Sequence, residues 1–332
     1  MNGIVKKSLV INLLILVVII LVFLFLLEGF FRVSGMCKIA PEKTGNLFNF
    51  YEETNDSLIF KFRPNAEGYL IGKYVKINSQ GFRDYEYSLD KPDRTYRIAV
   101  VGDSITFGWG VSLEDSYPKI IERELNKTKK VEVLNFGFPG YVSSQELFLI
   151  KEKVLAYNPD MIIVGHFLAS LDKPWNLFDT KTPIPTPIKI FLNEHSCSYN
   201  LLKEKYNNLL NRAGVIGELP YKELYNNSEI WSKHVAFFEN LSKISKEKNI
   251  TTIVVLLPNW ENLNDNYNFI KEDNLLNKTI TEAGLISLDT FPYLKGINAQ
   301  DYRIEHVHPN EKGDEKIAEI IVNFINNKGF IK

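Results

Sequence analysis

The feature that most restricts the fold of this chain is a stretch of 20 uncharged residues, 8–27, close to the amino terminus. A helix of that length can cross the ~30 Å hydrocarbon core of a bilayer. The stretch lacks the repeating polar positions that a helix packed in a soluble core would carry. We therefore predict one transmembrane helix, with the membrane contacted through residues 8–27.

A cleaved signal peptide is the alternative interpretation of this stretch. Signal peptides have a shorter apolar region followed by a small-x-small cleavage site, whereas this one ends in Leu27-Glu28-Gly29-Phe30. We therefore favour an uncleaved anchor. Lys6 and Lys7 precede the stretch, so the positive-inside rule predicts a cytoplasmic amino terminus and an extracytoplasmic main domain.

Overall composition excludes several classes of function. The formal net charge is −1, which gives no general attraction to nucleic acid. The two cysteines, Cys37 and Cys197, are not in a C-x-x-C pair. A disulfide between them could form in an oxidising compartment, but two unrelated thiols is the interpretation we favour. No metal-binding cluster or nucleotide-binding loop is recognisable, and we predict no cofactor.

Beyond residue 96, short apolar segments alternate with helical patterns. Strands are predicted at 97–101, 131–135, 161–165, 251–257 and 285–288, and helices at about 115–127, 143–157 and 311–326. Alternation of this kind is typical of a mostly parallel sheet covered by helices on both faces. The sequence therefore predicts a three-layer α/β/α domain with five strands.

The remaining segments complete a predicted domain plan. Residues 1–28 form a cytoplasmic stub and the anchor, and residues 29–95 form a small β-containing lead-in. Residues 96–328 form the main domain. A proline-rich stretch opens an insertion at about 173–235, which we expect near the carboxyl ends of the strands, where such folds bind ligands.

The first predicted strand runs into Gly102-Asp103-Ser104-Ile105. A serine at a strand-to-helix junction has an exposed hydroxyl, and the free N–H groups of the next helix can stabilise negative charge. The alternative is that Ser104 only caps a helix. Asp103 is expected to be a structural turn residue.

A second candidate lies near the carboxyl terminus, in the segment Glu305-His306-Val307-His308-Pro309. A carboxylate three residues before a histidine can fold back onto the imidazole within one loop. It would then hold the tautomer and stabilise the imidazolium. The chain has only five histidines, and we predict that His308 is a catalytic base oriented by Glu305.

These two blocks resemble those of the SGNH, or GDSL-type, hydrolase superfamily over residues 96–325. The resemblance implies a flavodoxin-like arrangement of the five-stranded sheet. It also implies that Ser104 is the nucleophile and His308 the base. Glu305 stands where that family usually has aspartate, a chemically mild change from one carboxylate to another.

The resemblance further implies an oxyanion hole formed by the backbone N–H groups of Ser104 and Gly140. Gly140 or the nearby Gly137 could equally be a turn glycine, although the position after the second strand favours Gly140. The family usually adds an asparagine after the third strand, and here the aligned residue is Ala169. Either Ser170, His166 or a residue of the insertion supplies the missing donor, or the activity is weak or specialised. Loss of one donor typically lowers the rate by ~10²–10³.

The sequence is compatible with two functions. The first is a serine esterase or acyltransferase acting on acyl esters, with O-acetyl groups of envelope polysaccharide as the substrate that the resemblance and the outward-facing anchor suggest. The second, motivated by Ala169, is a catalytically degenerate glycan-binding or assembly module on the same fold. Trp109, Trp175 and Trp260 could line a sugar-binding cleft, although packing in the core is the commoner role.

Overall fold

The computed structural model describes residues 2–34, 47–168, 170–171, 188, 191–192, 195–212, 221–305 and 307–331. The chain divides into two units. One unit comprises residues 1–46 and 181–218, and the other comprises residues 47–180 and 219–332. Part of the predicted insertion at 173–235 lies outside the described residues.

The described elements follow the chain in this order. The helices are α1 Asn2–Val33, α2 Leu47–Phe50, α3 Ser104–Phe107, α4 Tyr117–Leu125, α5 Ser143–Glu152, α6 Cys197–Arg212, α7 Tyr221–Asn226, α8 Ser228–Lys248, α9 Ile270–Glu282, α10 Phe291–Leu294 and α11 Glu311–Lys328. The strands are β1 Tyr51–Glu53, β2 Phe60–Phe62, β3 Glu67–Leu70, β4 Lys73–Lys76, β5 Tyr96–Gly102, β6 Val131–Gly137, β7 Met161–Phe167, β8 Thr251–Leu257 and β9 Ile286–Asp289.

In the smaller unit, α1 contains the predicted apolar stretch. Its segment Ile11–Val33 has a mean hydropathy of 3.2 and is long and apolar enough to cross a membrane. The Glu28 carboxylate near the end of α1 accepts hydrogen bonds from the backbone N–H groups of Cys197 (2.9 Å) and Ser198 (3.0 Å), at the start of α6. A carboxylate at a helix amino terminus is favourable, because it satisfies N–H groups that have no partner within the helix.

Cys197 is disulfide-bonded. This finding is at odds with the interpretation of two unrelated thiols that the sequence favoured. Cys37, the other cysteine of the sequence, lies outside the described residues.

The larger unit is built on a five-stranded sheet in the order β6–β5–β7–β8–β9. Every neighbouring pair in that sheet is parallel. Numbered from β5, this is the 2-1-3-4-5 order of flavodoxin-like folds. Helices α4 and α11 pack together, and α5 packs with α8, which places one pair on each face of the sheet. The predicted α/β/α fold with a five-stranded parallel sheet is confirmed.

The order of the strands determines where a ligand can bind. From β5 the chain passes to β6 on one side, and it later returns to β7 on the other side. Ligands of such sheets bind beyond the carboxyl ends of the strands at this switch point. Ser104 follows directly after β5 and therefore lies at that edge.

The part of the lead-in that belongs to the larger unit, residues 47–95, packs against the loops that follow β5 and β6. It contains two antiparallel pairs, β1–β2 and β3–β4. The ring centroid of Phe62 in β2 lies 4.0 Å from that of Phe138 and 5.4 Å from that of Phe107. Beyond β6, the hydroxyl of Tyr141 donates to the carbonyl of Phe60 (2.6 Å). These buried aromatic contacts attach the lead-in to the end of the sheet that carries Ser104.

Candidate active site

A capped turn places Ser104 at the start of α3. The side chain of the preceding Asp103 accepts a hydrogen bond from the Ile105 N–H (2.9 Å), which satisfies one of the free donors of the first turn. Burial raises the pKa of Asp103 to about 6. Asp103 therefore has a structural contact in the turn, whereas the Ser104 side chain is partly exposed to solvent.

His308 reaches Ser104 from the loop before α11, 204 residues later in the chain. Its Nε2 atom lies 2.7 Å from Ser104 Oγ. Its Nδ1 atom contacts the Glu305 carboxylate, which also accepts the backbone N–H of Val307 (2.8 Å). With the Nδ1 proton donated to Glu305, Nε2 carries the lone pair that can accept the serine proton.

The two candidate glycines after the second sheet strand have different surroundings. The Gly137 N–H donates to the Asn135 side chain (2.8 Å), and a Cβ on Gly137 would lie 2.2 Å from the Phe107 nitrogen. Gly137 therefore allows β6 and α3 to approach closely, and its N–H is occupied. Gly140 has φ +86° and is partly exposed. Within the described residues, the N–H groups of Gly140 and Ser104 have no hydrogen-bond acceptor.

The other candidate donors lie after or within β7. Ala169 lies outside the described residues. Ser170 is buried, its Oγ accepts the Phe167 N–H (3.3 Å), and its carbonyl accepts the Ser143 hydroxyl (2.6 Å). The Ser170 hydroxyl thus takes part in a local turn and keeps its own proton to donate. His166 is buried against α8, where its ring centroid lies 4.8 Å from that of His234.

Sequence reasoning missed one residue that supports this site. Arg83, in the lead-in, is buried, and its guanidinium donates to the carbonyls of Phe107 (3.0 Å), Gly108 (2.6 Å) and Val111 (2.8 Å). These carbonyls end α3 and form the turn after it, where the helix leaves acceptors unsatisfied. No local pattern in the sequence marks an arginine for this role, because its partners lie more than 20 residues away.

The tryptophans that could line a sugar-binding cleft have different surroundings in the structure. Trp260 is fully buried and packs in the core. Trp109 is partly exposed, and its ring centroid lies 5.8 Å from that of His308. Trp175 lies outside the described residues. In the part of the chain that the structure describes, no group of three or more His, Cys, Asp or Glu side chains could hold a metal ion.

One known family matches most of the main domain of this chain. The family described as GDSL-like lipase/acylhydrolase matches residues 98–321, which is more than half of the chain. The chain belongs to this family of esterases and acylhydrolases. The predicted resemblance is thereby confirmed. The comparison with curated protein sequences gave no match.

Several solved structures are similar to this chain at low sequence identity. A lipase/acylhydrolase from Enterococcus faecalis is 19% identical, with 70% of this chain and 96% of that chain covered and a TM-score of 0.40. An acetyl xylan esterase is 14% identical, with 69% and 99% covered and a TM-score of 0.43. A two-domain esterase active on acetylated mannans is 15% identical, with 70% and 49% covered and a TM-score of 0.41.

Proposed function

We propose that the protein is a serine esterase or acyltransferase in which Ser104 is the nucleophile, His308 the general base and Glu305 the residue that orients His308. The observation that carries this proposal is the 2.7 Å separation of Ser104 Oγ and His308 Nε2, with Nδ1 facing a carboxylate. A hydroxyl that donates to an oriented imidazole is the arrangement that activates a serine for attack on an ester.

The reaction follows from this arrangement. His308 Nε2 accepts the Ser104 proton as Oγ attacks the ester carbonyl, and the Glu305 carboxylate stabilises the imidazolium. The tetrahedral intermediate then expels the alcohol, which takes the proton from Nε2, and the acyl group remains on Ser104. Attack by water releases the acid, whereas attack by a sugar hydroxyl transfers the acyl group.

We assign the oxyanion hole to the N–H groups of Ser104 and Gly140. Both lack an acceptor within the described residues, so both are free to bind a developing negative charge. The Ser170 hydroxyl is the third donor that we propose, in place of the asparagine that Ala169 replaces. Its contact with the Phe167 N–H leaves its proton available.

The proposed substrate class is O-acetyl esters of envelope polysaccharide. Two of the structural neighbours are described as an acetyl xylan esterase and an esterase active on acetylated mannans, which makes acetylated polysaccharide a reasonable class to test first. The proposed location agrees with such a substrate: residues 8–27 anchor the chain, the amino terminus is cytoplasmic and the catalytic unit faces outward.

The full-length protein in detergent micelles tests this function with 4-nitrophenyl acetate. Ser104→Ala should lower kcat/KM by at least about 10³-fold. Ser232→Ala is the matched control, because Ser232 is an exposed serine on α8. Equal activity of Ser104→Ala and the parent would contradict the proposal. Binding of acetylated polysaccharide without any turnover would favour the glycan-binding module instead.

A further inference from the structure

An apolar surface borders the proposed catalytic pair on the side of His308. We call this surface, which consists of Ile71, Trp109 and Ile304, the ledge. Trp109 is attached to the nucleophile turn, since its N–H donates to the Ser104 carbonyl (3.0 Å), and its ring lies beside that of His308. Ile304 is attached to the base, since its N–H donates to the His308 carbonyl (2.9 Å).

The two isoleucines of the ledge meet above a glycine. A Cβ placed on Gly110 would lie 2.3 Å from Ile304 Cδ1 and 3.5 Å from Ile71 Cγ2. Gly110 also has φ +80°, a conformation that other residues rarely adopt. Any side chain at this position would displace Ile304, so the glycine allows residues from the lead-in and from the histidine loop to form one continuous surface.

Ile71 occupies an unfavourable conformation at the edge of the site. It lies at the turn between β3 and β4 with φ +50°, which is an outlier for a β-branched residue. Ile71 is nevertheless 42% exposed, and Ile304 is 43% exposed. An ion pair between Lys73 Nζ in the hairpin and the Glu311 carboxylate (2.6 Å) joins the hairpin to the start of α11, directly after the histidine loop. A strained, exposed apolar residue held at a site points to a role in binding.

The chemistry of the reaction indicates which part of a substrate the ledge would contact. His308 Nε2 must return its proton to the departing alcohol, so the alcohol oxygen has to come within hydrogen-bond reach of that atom. The alcohol therefore lies on the side of His308, which is the side of the ledge. The acyl carbonyl, in contrast, is directed towards the oxyanion donors Ser104 and Gly140.

We propose that the ledge binds an apolar face of the alcohol component of the ester and so selects esters of ring-bearing alcohols. This inference rests on the proposed function. Aromatic and aliphatic side chains at the mouth of a pocket bind flat apolar surfaces, and the C–H face of a pyranose ring is one such surface. Ile71 and Ile304 are thus specificity-determining residues, and neither takes part in the bond-breaking steps.

The test compares three esters on the full-length protein: ethyl acetate, cyclohexyl acetate and ethyl butyrate. The first two differ only in the alcohol, and the first and third only in the acyl group. The variants are Ile71→Asn and Ile304→Asn. Leu89→Asn is the matched control, because Leu89 is 51% exposed and its carbonyl accepts Arg97 near the opposite end of β5.

The ratio of kcat/KM for cyclohexyl acetate to that for ethyl acetate should fall about tenfold in each ledge variant, and stay at the parent value in Leu89→Asn. Asparagine tolerates a positive φ, so Ile71→Asn should have a Tm at least equal to that of the parent. A lost preference could then not be attributed to unfolding. Ile304→Asn provides a second variant, at a residue without a positive φ.

A ratio that stays within about twofold of the parent in both ledge variants would overturn the inference. A selective change in the butyrate-to-acetate ratio would do the same, since it would place the ledge on the acyl side. Absence of Ser104-dependent turnover of all three esters by the parent would instead overturn the proposed function, and the ledge with it. The two failures are therefore distinguishable.

Discussion

The guanidinium of Arg83 lies 2.6 Å from the carbonyl oxygen of Gly108, at the carboxyl end of the short helix that begins with Ser104. Burial lowers the pKa of Arg83 to about 10, so the side chain remains charged at neutral pH. The lead-in segment therefore supplies the cation that satisfies the acceptors behind the nucleophile turn. Buried acceptors that lose their partner are costly, which makes this contact important for both stability and activity.

Arg83→Met should lower the free energy of unfolding by about 3 kcal/mol, because three buried carbonyls would lose the guanidinium while the apolar stem is kept. Of the three, the Gly108 carbonyl would keep the Val111 N–H (3.3 Å). The same variant should lower kcat/KM, since the turn carrying Ser104 would lose its support. Urea unfolding and ester kinetics measure the two effects. Arg123→Met, at an exposed position, should change the free energy of unfolding by less than about 0.5 kcal/mol. Equal stability of the two variants would contradict the role of Arg83.

Glu305→Gln should lower kcat by about 10³–10⁴-fold with little change in the fold. The glutamine amide can donate to His308 Nδ1, which would leave the proton on Nε2 and remove the lone pair that Ser104 needs. The pH–rate profile and kcat of the purified variant check this expectation. Glu261→Gln is a suitable control, because Glu261 is exposed. It lies after β8, far from the histidine loop in the sequence. A Glu305→Gln enzyme with more than about a tenth of the parental kcat would contradict the orienting role.

The buried pair His166 and His234 predicts loss of stability in acid. Burial lowers the pKa of His166 to about 3, and it also lowers that of His234 well below its usual value. Phe237, Phe238 and the Ser143 hydroxyl face the pair, with Ser143 Oγ 3.3 Å from His234 Nδ1. Between pH 6.5 and about 3 the unfolded chain binds protons that the folded chain excludes, so stability falls as the pH falls.

His166→Leu tests this pH dependence. One excluded proton changes the free energy of unfolding by about 1.4 kcal/mol per pH unit. Between pH 6 and 4, the free energy of unfolding of the variant should therefore fall less steeply than that of the parent. The two slopes should differ by up to about 1.4 kcal/mol per pH unit. Chemical unfolding at several pH values measures the difference. If the free energy of unfolding changed with pH in the same way in the parent and the variant, the prediction would be wrong. His166 would then bind protons equally in the folded and the unfolded chain.

Ser170→Ala should lower kcat/KM for 4-nitrophenyl acetate by about 10²-fold, since we assign the third oxyanion donor to its hydroxyl and one donor is worth about 10²–10³ in rate. Ala169→Asn should have little effect, because the third donor is already present, and Ala169→Leu, which adds a side chain without a donor, is its control. An increase of about 10²-fold in Ala169→Asn would contradict the assignment to Ser170. No response of the rate to either residue would contradict the assignment of a third donor to this loop.

Strand and site positions were predictable where the signals are local. The apolar run before Gly102 predicts β5, and a serine after a buried strand must lie at the carboxyl edge of the sheet. His308 and its carboxylate are three residues apart, so one loop can bring them together. The predicted last strand, 285–288, differs from β9 by one residue at each end.

Other features depend on contacts that no local pattern encodes. The carbonyl partners of Arg83 come from a different segment of the chain. The Ile71 side chain, at the turn of the β3–β4 hairpin, lies close to Gly110. Helix α8 begins inside the segment predicted as an insertion and runs past residue 235, because its apolar face packs on the sheet next to α5. Tertiary contacts of this kind decide the boundaries that periodicity leaves open.

Covalent labelling tests the central claim most directly. Full-length protein is treated with a fluorophosphonate probe, digested and mapped by mass spectrometry. The adduct should lie on the peptide that contains Ser104, and His308→Ala should slow labelling by at least about 10³-fold. His195→Ala, at an exposed histidine in the smaller unit, should label at the parental rate. An adduct on another residue, or labelling of Ser104 at an unchanged rate without His308, would contradict the hydroxyl–imidazole pair on which the proposed function rests.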